Sequence, residues 1–307
     1  MAQKYMRKYL IVGGNGFIGS HLTDALVKKG NRVIVVDFSD KYLNPKVEFF
    51  KLDVCNPEVL NVFKKEKPDI VYYLAGPINL RREINDPLFN KGLDVLDGFK
   101  KILDYCHELK IKKVVFLSSG GAICSKAKII PTSEKDSSRP SSLYGLANLI
   151  LEKLLDEYYK KYKLSFIILR LSNVYGPRQW ENGVVPSFIK NISENKFPVI
   201  RGDGTQTRDF IYVDDAVSAL LIGGESKKTG IFNVGSGKET SLNELSKKIV
   251  KILNKKIRPK YRFARGIEVQ RSALDWSKAK KELDWKPKIS LVQGLKKTID
   301  WYEKHSF

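Results

Sequence analysis

Three glycines near the start of the chain have the spacing of a phosphate-binding turn. Gly13, Gly16 and Gly19 directly follow a short apolar run, residues 9–12, that is typical of a buried strand. Gly13 allows a tight turn, Gly16 lets a backbone approach a phosphate, and Gly19 lets the next helix lie close to the strand. The N-terminus of that helix, near Phe17, offers free N–H groups and a partial positive charge. We therefore expect a pyrophosphate to bind at this turn.

An acidic residue ends the second predicted strand. The helix that contains Phe17 and Ile18 is followed by Gly30 and by a second predicted strand at 32–36, which is apolar from Val33 onward and is followed by Asp37. An acid at this position accepts hydrogen bonds from the adenosine ribose hydroxyls of NAD. Its charge would repel the 2′-phosphate of NADP, and no arginine follows it directly. The pattern predicts NAD as the cofactor, and a flavodoxin-like turn that binds no dinucleotide is the alternative.

A second set of polar residues lies where later strands are expected to end. Ser118 and Ser119 close the fifth predicted strand, Tyr144 begins the helix after the next loop, and Asn173 follows the sixth strand. Parallel strands end at one edge of their sheet, so these side chains are expected to converge on one cleft. A tyrosine beside a dinucleotide can accept the proton of an alcohol that loses a hydride. Alternatively, Tyr144 is a core residue without a catalytic role.

Strands alternate with helices up to about residue 172, which predicts an α/β fold, a doubly wound parallel sheet of the Rossmann type. After residue 172 this alternation of strands and helices stops. The remainder resembles a smaller C-terminal lid that binds substrate over the strand ends. We assign residues 1–172, with a return segment at about 211–236, to an NAD-binding domain. Residues 173–210 and 237–307 form the predicted substrate-binding domain. The two longest predicted helices cover about 87–109 and 143–161.

The composition is that of an ordinary globular protein. The chain has 307 residues, of which 42% are hydrophobic and 29% charged, and its apolar runs are too short to span a membrane. The apolar N-terminal stretch is too short for a signal peptide. Cys55, Cys106 and Cys124 are widely spaced, which favours reduced thiols over a disulfide framework or a metal site. We expect a cytoplasmic protein without a bound metal.

The charge balance is strongly basic, with a formal net charge of +21. The lysines are spread along helix faces throughout, and no arginine-rich tail or basic and aromatic strip is present. This distribution argues against a nucleic-acid-binding function. Part of the positive charge would instead attract an anionic nucleotide.

The motifs together resemble those of the extended short-chain dehydrogenase/reductases, and within them the NAD-dependent nucleotide-sugar epimerase/dehydratase family typified by UDP-glucose 4-epimerase. The resemblance runs essentially from end to end. It is carried by the glycine turn, Asp37, Ser118-Ser119 before Tyr144, and the segments at residues 53–54, 74–76, 169–177, 202–215 and 277–287.

The resemblance implies a chemistry and a set of roles. Tyr144 would take the proton from the sugar 4-hydroxyl while hydride passes to NAD, and the 4-keto sugar would turn over and receive hydride on its other face. Ser118 or Ser119 would share the proton. The implied cofactor-binding residues are Gly13, Gly16, Phe17, Ile18, Gly19, Asp37, Asp53, Val54, Leu74, Ala75, Gly76, Tyr144 and Asn148.

The implied substrate is a nucleotide sugar, most simply a UDP-sugar. Asn173 would hold the sugar diphosphate, Arg208 and Arg265 would pair with its phosphates, and Glu268 would lie near the nucleotide ribose. Val184 is a further implied contact. Family members dimerise through two long helices that correspond to 87–109 and 143–161, so a homodimer is expected.

Two positions depart from the family pattern. The family motif is Tyr-x-x-x-Lys, whereas this chain has Asn148 four residues after Tyr144. The lysine lowers the pKa of the tyrosine, and a free tyrosine, with a pKa of about 10, is ionised in roughly one molecule in a thousand at pH 7. The family Ser or Thr that shares the proton falls at Gly120, which makes Ser119 the nearest hydroxyl.

These departures leave alternatives open. A working epimerase would tolerate Asn148 and use Ser119, whereas a descendant without turnover would only bind NAD and a nucleotide sugar. A dehydratase needs an acidic residue beside the Ser or Thr, which Gly120-Gly121 does not supply. A 4-keto-sugar reductase would more often prefer NADPH, which Asp37 opposes. The epimerase is the favoured hypothesis.

Overall fold

A seven-stranded parallel sheet forms the centre of the molecule. The computed structural model describes residues 6–76, 89–125, 127–136, 138–179, 183–263 and 269–305, with only the backbone of residues 89–93. The strand order is β11-β6-β5-β4-β1-β2-β3. The strands are β1 (Lys8–Val12), β2 (Arg32–Asp37), β3 (Glu48–Lys51), β4 (Ile70–Tyr73), β5 (Lys113–Ser119), β6 (Phe166–Leu171) and β11 (Gly230–Val234). The predicted doubly wound α/β fold is confirmed.

Helices cover both faces of this sheet, which explains why its strands read as continuous apolar runs. One face packs against α1 (Phe17–Lys28) and α7 (Val213–Glu225). The other packs against α2 (Val59–Glu66), α3 (Phe89–Glu108) and α5 (Leu143–Tyr162). The two faces give two separate apolar clusters, and α5 and α3 lie side by side on the second.

The strand order changes direction between β1 and β4. From β1 the chain first builds outward through β2 and β3, and then returns to place β4 on the other side of β1. In open α/β sheets such a switch point opens a crevice at the carboxyl ends of the strands, and ligands bind there. The glycine turn follows β1, so the topology places it at this crevice.

The C-terminal part contains three small two-stranded sheets. One pairs β7 (Asn173–Tyr175) with β10 (Phe210–Tyr212), the second pairs β9 (Thr207–Arg208) with β12 (Thr240–Ser241), and the third pairs β8 (Val199–Arg201) with β13 (Lys260–Arg262). Its helices are α6 (Val184–Ser193), α8 (Leu242–Ile252), α9 (Ser277–Leu283) and α10 (Leu291–His305). The expected return of residues 230–234 to the main sheet is confirmed, since β11 pairs with β6. The division into two domains stays a prediction.

Strand β5 ends at Ser119, as expected, and is followed by a short helix, α4 (Gly120–Ile123), that the sequence patterns did not predict. The three cysteines are free, as expected. Within the described ranges, no helix is long and apolar enough to cross a membrane.

Candidate active site

The turn after β1 brings two of the predicted cofactor-binding segments together. Gly13 has φ +82°, and a Cβ on it would lie 3.0 Å from the backbone nitrogen of Ala75. A Cβ on Gly19 would lie 2.1 Å from the carbonyl oxygen of Gly13, so only glycine lets α1 approach the end of β1 this closely. Leu74 donates its N–H to Val12 at 2.9 Å, which holds the end of β4 beside the turn.

The start of α1 faces the same crevice. Gly16 is the N-cap residue, and Phe17 and Ile18 begin the helix. A Cβ on Gly16 would meet only the carbonyl oxygen of Gly13, at 3.4 Å, so one side of the turn is open. The N–H groups of the first helical turn have no partners within the helix and carry its partial positive charge. This geometry suits a pyrophosphate.

Asp37 lies beside the glycine turn, at the end of β2. Its carboxylate accepts the backbone N–H of Asn15 at 2.9 Å and that of Ser39 at 3.0 Å. Burial raises the pKa of Asp37, while these backbone N–H groups act in the opposite direction. The side-chain oxygen of Asn15 is buried and has no hydrogen-bond partner among the described residues. A donor from a bound ligand would satisfy it.

Asp53, Val54 and Gly76 follow β3 and β4 at the same edge of the sheet. Asp53 accepts the backbone N–H of Cys55 at 2.9 Å, which fixes the turn after β3. Val54 packs beside Gly98 of α3, where an added Cβ would lie 3.1 Å from its Cγ1. A Cβ on Gly76 would meet nothing within 4 Å among the described residues. The contact of these residues with a cofactor stays a prediction.

A pocket at the carboxyl ends of β5 and β6 gathers three of the predicted catalytic and substrate-binding residues. It is lined by Ser119, Gly121, Ala122, Leu171, Ser172, Asn173, Arg208, Val269 and Ser272. Arg208 donates through Nη1 to the carbonyl oxygens of Val269, at 2.6 Å, and Thr207, at 2.7 Å. The guanidinium is thereby fixed at the wall of the pocket. The side-chain amide of Asn173 donates to the carbonyl of Asp209 at 3.3 Å.

Ser118 has a different environment from Ser119. Its buried hydroxyl donates to Oε1 of Glu152 at 2.6 Å. Glu152 in turn accepts three hydrogen bonds from Arg170, two from Nε at 3.0 and 3.1 Å and one from Nη2 at 2.7 Å. Ser118 therefore belongs to a buried network that joins α5 to β5 and β6, whereas Ser119 faces the pocket.

Tyr144 and Asn148 lie one turn apart near the start of α5. Ser142 caps this helix by accepting the N–H of Gly145 at 3.1 Å. A Cβ on Gly145 would lie 2.4 Å from the carbonyl oxygen of Ala122, so α5 begins in close contact with α4. That contact places half-buried Tyr144 near the segment that carries Ser119. Asn148 is buried, and its side-chain amide donates to the carbonyl of Tyr144 at 2.8 Å.

The model of the NAD dependent epimerase/dehydratase family matches residues 9–235. The chain belongs to this family.

The protein is similar to known epimerases, as one relative and two solved structures illustrate. It is 37% identical to a putative UDP-glucose 4-epimerase of Methanocaldococcus jannaschii over 97% of this chain and 99% of that protein. UDP-glucose 4-epimerase of Thermotoga maritima, solved with UDP-glucose, has a TM-score of 0.91 at 35% identity and covers 97% and 99% of the two chains. UDP-N-acetylglucosamine 4-epimerase of Methanobrevibacter ruminantium, solved with UDP-N-acetylmuramic acid, also has a TM-score of 0.91, at 31% identity, covering 98% and 99%. The present protein is therefore an enzyme, and NAD is its cofactor.

The crevice at the carboxyl ends of β1 and β4 fits NAD. The open side of Gly16, the positive end of α1 and the close approach of the backbones at Gly13 and Ala75 suit the pyrophosphate. Asp37 and the unpaired oxygen of Asn15 are acceptors for hydroxyl or amino groups of the adenosine half. Among the described residues, no group of three or more His, Cys, Asp or Glu side chains could hold a metal ion.

The structure gives a physical reason for one of the two departures from the family motif. A Cβ on Gly120 would lie 2.7 Å from Cδ1 of Leu274, so Leu274 fills the space where a family hydroxyl is expected. The nearest pocket hydroxyl is that of Ser119. At the second departure, the amide of Asn148 is used inside its own helix and adds no charge beside Tyr144.

Sequence reasoning missed Asp209, which organises the substrate side of the site. This fully buried carboxylate accepts the N–H and hydroxyl of Ser236 at 2.8 and 2.6 Å, and the N–H groups of Gly237 and Leu274, both at 3.2 Å. Burial raises its pKa. Its carbonyl accepts the N–H of Asn173 at 2.9 Å. An acid at the start of an apolar strand was the available signal.

The remaining predicted substrate residues are Val184, Arg265 and Glu268. Val184 is the half-buried first residue of α6. Arg265 and Glu268 lie outside the described residues. Their assignment, like that of the other site residues, stays a prediction.

Proposed function

We propose that this enzyme is a nucleotide-sugar 4-epimerase that acts on a UDP-sugar and uses Tyr144 as its base. One observation carries the proposal: Ser119, Asn173 and Arg208, a hydroxyl, an amide and a cation, line one pocket at the carboxyl ends of β5 and β6. The solved T. maritima and M. ruminantium proteins, which share the fold at a TM-score of 0.91, are named as 4-epimerases of UDP-sugars.

The residues divide the work of a reversible oxidation at the sugar C4. Tyr144 accepts the proton of the 4-hydroxyl, and NAD, when bound, would accept the hydride from C4. Ser119 donates a hydrogen bond that shares the moving proton. The 4-keto sugar then presents its other face, the hydride and the proton return to it, and the reaction is redox-neutral overall.

The substrate side of the pocket suits a diphosphate. Arg208 contributes a guanidinium whose position is fixed by the carbonyls of Val269 and Thr207. Arginine is well suited to phosphate because its donors form charge-assisted hydrogen bonds in a planar array. Asn173 is held beside it by the backbone of Asp209. We propose that these two residues bind the diphosphate, together with Arg265.

Asn148 bears on the rate of the reaction and not on its type. Its amide brings no positive charge to Tyr144, so less tyrosinate is available than with the family lysine. We therefore expect turnover that is slow at neutral pH.

The test is direct assay of 4-epimer formation. The purified protein is incubated with NAD and, separately, UDP-glucose, UDP-N-acetylglucosamine, UDP-glucuronic acid and a GDP- and a dTDP-sugar, and the products are followed by NMR. We expect one UDP-sugar to be converted to its 4-epimer. Tyr144→Phe should abolish the conversion, while Tyr159→Phe, at an exposed tyrosine on the same helix, should leave it unchanged.

Two results would contradict the proposal. Turnover that survives in Tyr144→Phe removes Tyr144 as the base. Binding of UDP-sugars without conversion, even at high pH and long incubation, favours the alternative in which the chain has lost epimerase turnover.

A further inference from the structure

Ser172 is a half-buried residue of the pocket with no assigned role. It lies between β6 and β7, directly before Asn173, and its backbone N–H donates to Val234 at 2.9 Å. Its hydroxyl oxygen is buried and makes no hydrogen bond to any described residue. A buried hydroxyl without a partner is unfavourable, because it has lost its hydrogen bonds to water and gained none.

Two other serines, buried Ser118 and half-buried Ser236, show how this chain usually satisfies a hydroxyl. Ser118 donates to Glu152 at 2.6 Å, and Ser236 donates to Asp209 at 2.6 Å. Ser246 in α8 is unpaired like Ser172, but it does not line the pocket. What distinguishes Ser172 is the combination of an unpaired hydroxyl with a place in the wall of the pocket.

The sheet register places Ser172 beside the predicted reaction centre. Ser119 at the end of β5 pairs with Leu171 at the end of β6, so Ser172 is one residue beyond the partner of Ser119. Neighbouring strands lie about 4.8 Å apart. An added Cβ on Gly235 would be only 3.2 Å from the Cβ of Ser172, so this side of the residue is closely packed.

We propose that Ser172 hydrogen-bonds to the sugar ring of the nucleotide sugar and contributes to recognition of that sugar. The inference rests on the proposed function. A serine hydroxyl both donates and accepts, as a sugar hydroxyl does. The diphosphate is assigned to Arg208 and Asn173, whereas Ser172 adjoins the strand end that carries Ser119. The group that it meets is therefore an oxygen of the hexose.

The test compares Ser172→Ala with Ser246→Ala, a matched control that removes an unpaired buried hydroxyl away from the pocket. Calorimetry measures the Kd of the NAD-loaded protein for UDP and for the UDP-sugar that wild type binds most tightly in the panel above. In Ser172→Ala we expect the Kd for the UDP-sugar to rise roughly three- to tenfold, with the Kd for UDP unchanged. Neither variant should have a lower Tm than wild type, because neither hydroxyl has a partner to lose.

Each contrary result has a distinct meaning. Equal weakening of UDP and UDP-sugar would place Ser172 at the nucleotide half, and a lower Tm in Ser172→Ala alone would make its hydroxyl structural; both overturn the inference. An unchanged Kd for the UDP-sugar also overturns it. Wild-type protein that binds no UDP-sugar contradicts the proposed function itself, whereas binding without epimerisation contradicts the function and leaves the sugar contact standing.

Discussion

Asn148 is buried on the side of α5 that faces the sheet, and its amide donates to the carbonyl of Tyr144, one turn earlier. We predict that Asn148→Lys raises kcat at pH 7 by about tenfold or more, because an ammonium beside a tyrosine favours the tyrosinate by at least about one pKa unit. The same charge should move the acid limb of the log kcat profile to lower pH. The measurement is kcat from pH 5 to 10.

Asn148→Gln is the control for this substitution, since it lengthens the side chain without adding charge. It should leave the acid limb in the wild-type position. If the lysine and glutamine variants have the same profile, charge at position 148 does not govern the reaction. If Asn148→Lys creates conversion where wild type shows none, the native chain is not a working epimerase.

The sequence could predict site residues whose role depends on a local motif. Gly13, Gly19 and Asp37 lie where their spacing predicts, because the turn and the strand that precede each of them are local structures. The environments of Ser118 and Asp209 depend on partners far along the chain, Glu152 and Leu274 among them. No local pattern contains such pairings, so the distinction between Ser118 and Ser119 needed the fold.

At the scale of elements, the Glu152–Arg170 pair fastens α5 to the sheet. The side chains are 2% and 4% exposed, and Glu152 also accepts the hydroxyl of Ser118. We predict that Glu152→Gln destabilises the fold by about 3–5 kcal/mol, because it leaves Arg170 buried without a countercharge. Urea unfolding followed by circular dichroism measures the loss.

An exposed ion pair on the same helix provides the comparison. Glu157 and Lys160 are 68% and 59% exposed, so Glu157→Gln should change the free energy of unfolding by less than about 1 kcal/mol. The double variant Glu152→Met with Arg170→Met should recover part of the loss, since no buried charge is left unpaired. Equal effects of Glu152→Gln and Glu157→Gln would show that the buried pair does not anchor α5.

The elements themselves were predicted unequally. Most strands of the main sheet are apolar on both faces and read as continuous runs, and the helices between them are amphipathic. Strands β7, β9, β10, β12 and β13 have only two or three residues each. Segments so short show no period, and they form because a distant partner offers hydrogen bonds. The short helix α4 similarly depends on its packing against α5.

At the scale of the whole molecule, the loop before Tyr144 is tied to the C-terminal part of the chain. Thr132 accepts the N–H of Asp275 at 2.9 Å and donates its own to Ala273 at 2.9 Å. The side chain of Asn233, on β11, also donates to Thr132. The segment at 273–275 contains Leu274, which packs on Gly120, so the loop before Tyr144 and the pocket share one connected support.

The outer face of α5 carries an apolar stripe that a second copy of the chain would cover. Leu143, Leu146 and Ile150 are 45%, 43% and 45% exposed, and their spacing places them on one face of the helix. A two-fold dimer buries the same surface of both subunits, which removes such a stripe from water. We predict that wild type is a homodimer with twice the 35.0 kDa chain mass.

The combined variant Leu146→Asp with Ile150→Asp should be a monomer, because the dimer would bury its carboxylates without partners. Light scattering after size-exclusion chromatography measures the mass, and circular dichroism checks that the helices remain. Val292→Asp is the control, since Val292 is 40% exposed on α10, a different helix. A monomeric wild type, or dissociation caused equally by Val292→Asp, would rule out the α5 interface. Because the stripe begins at the residue before Tyr144, loss of the dimer should also lower kcat by loosening the start of this helix.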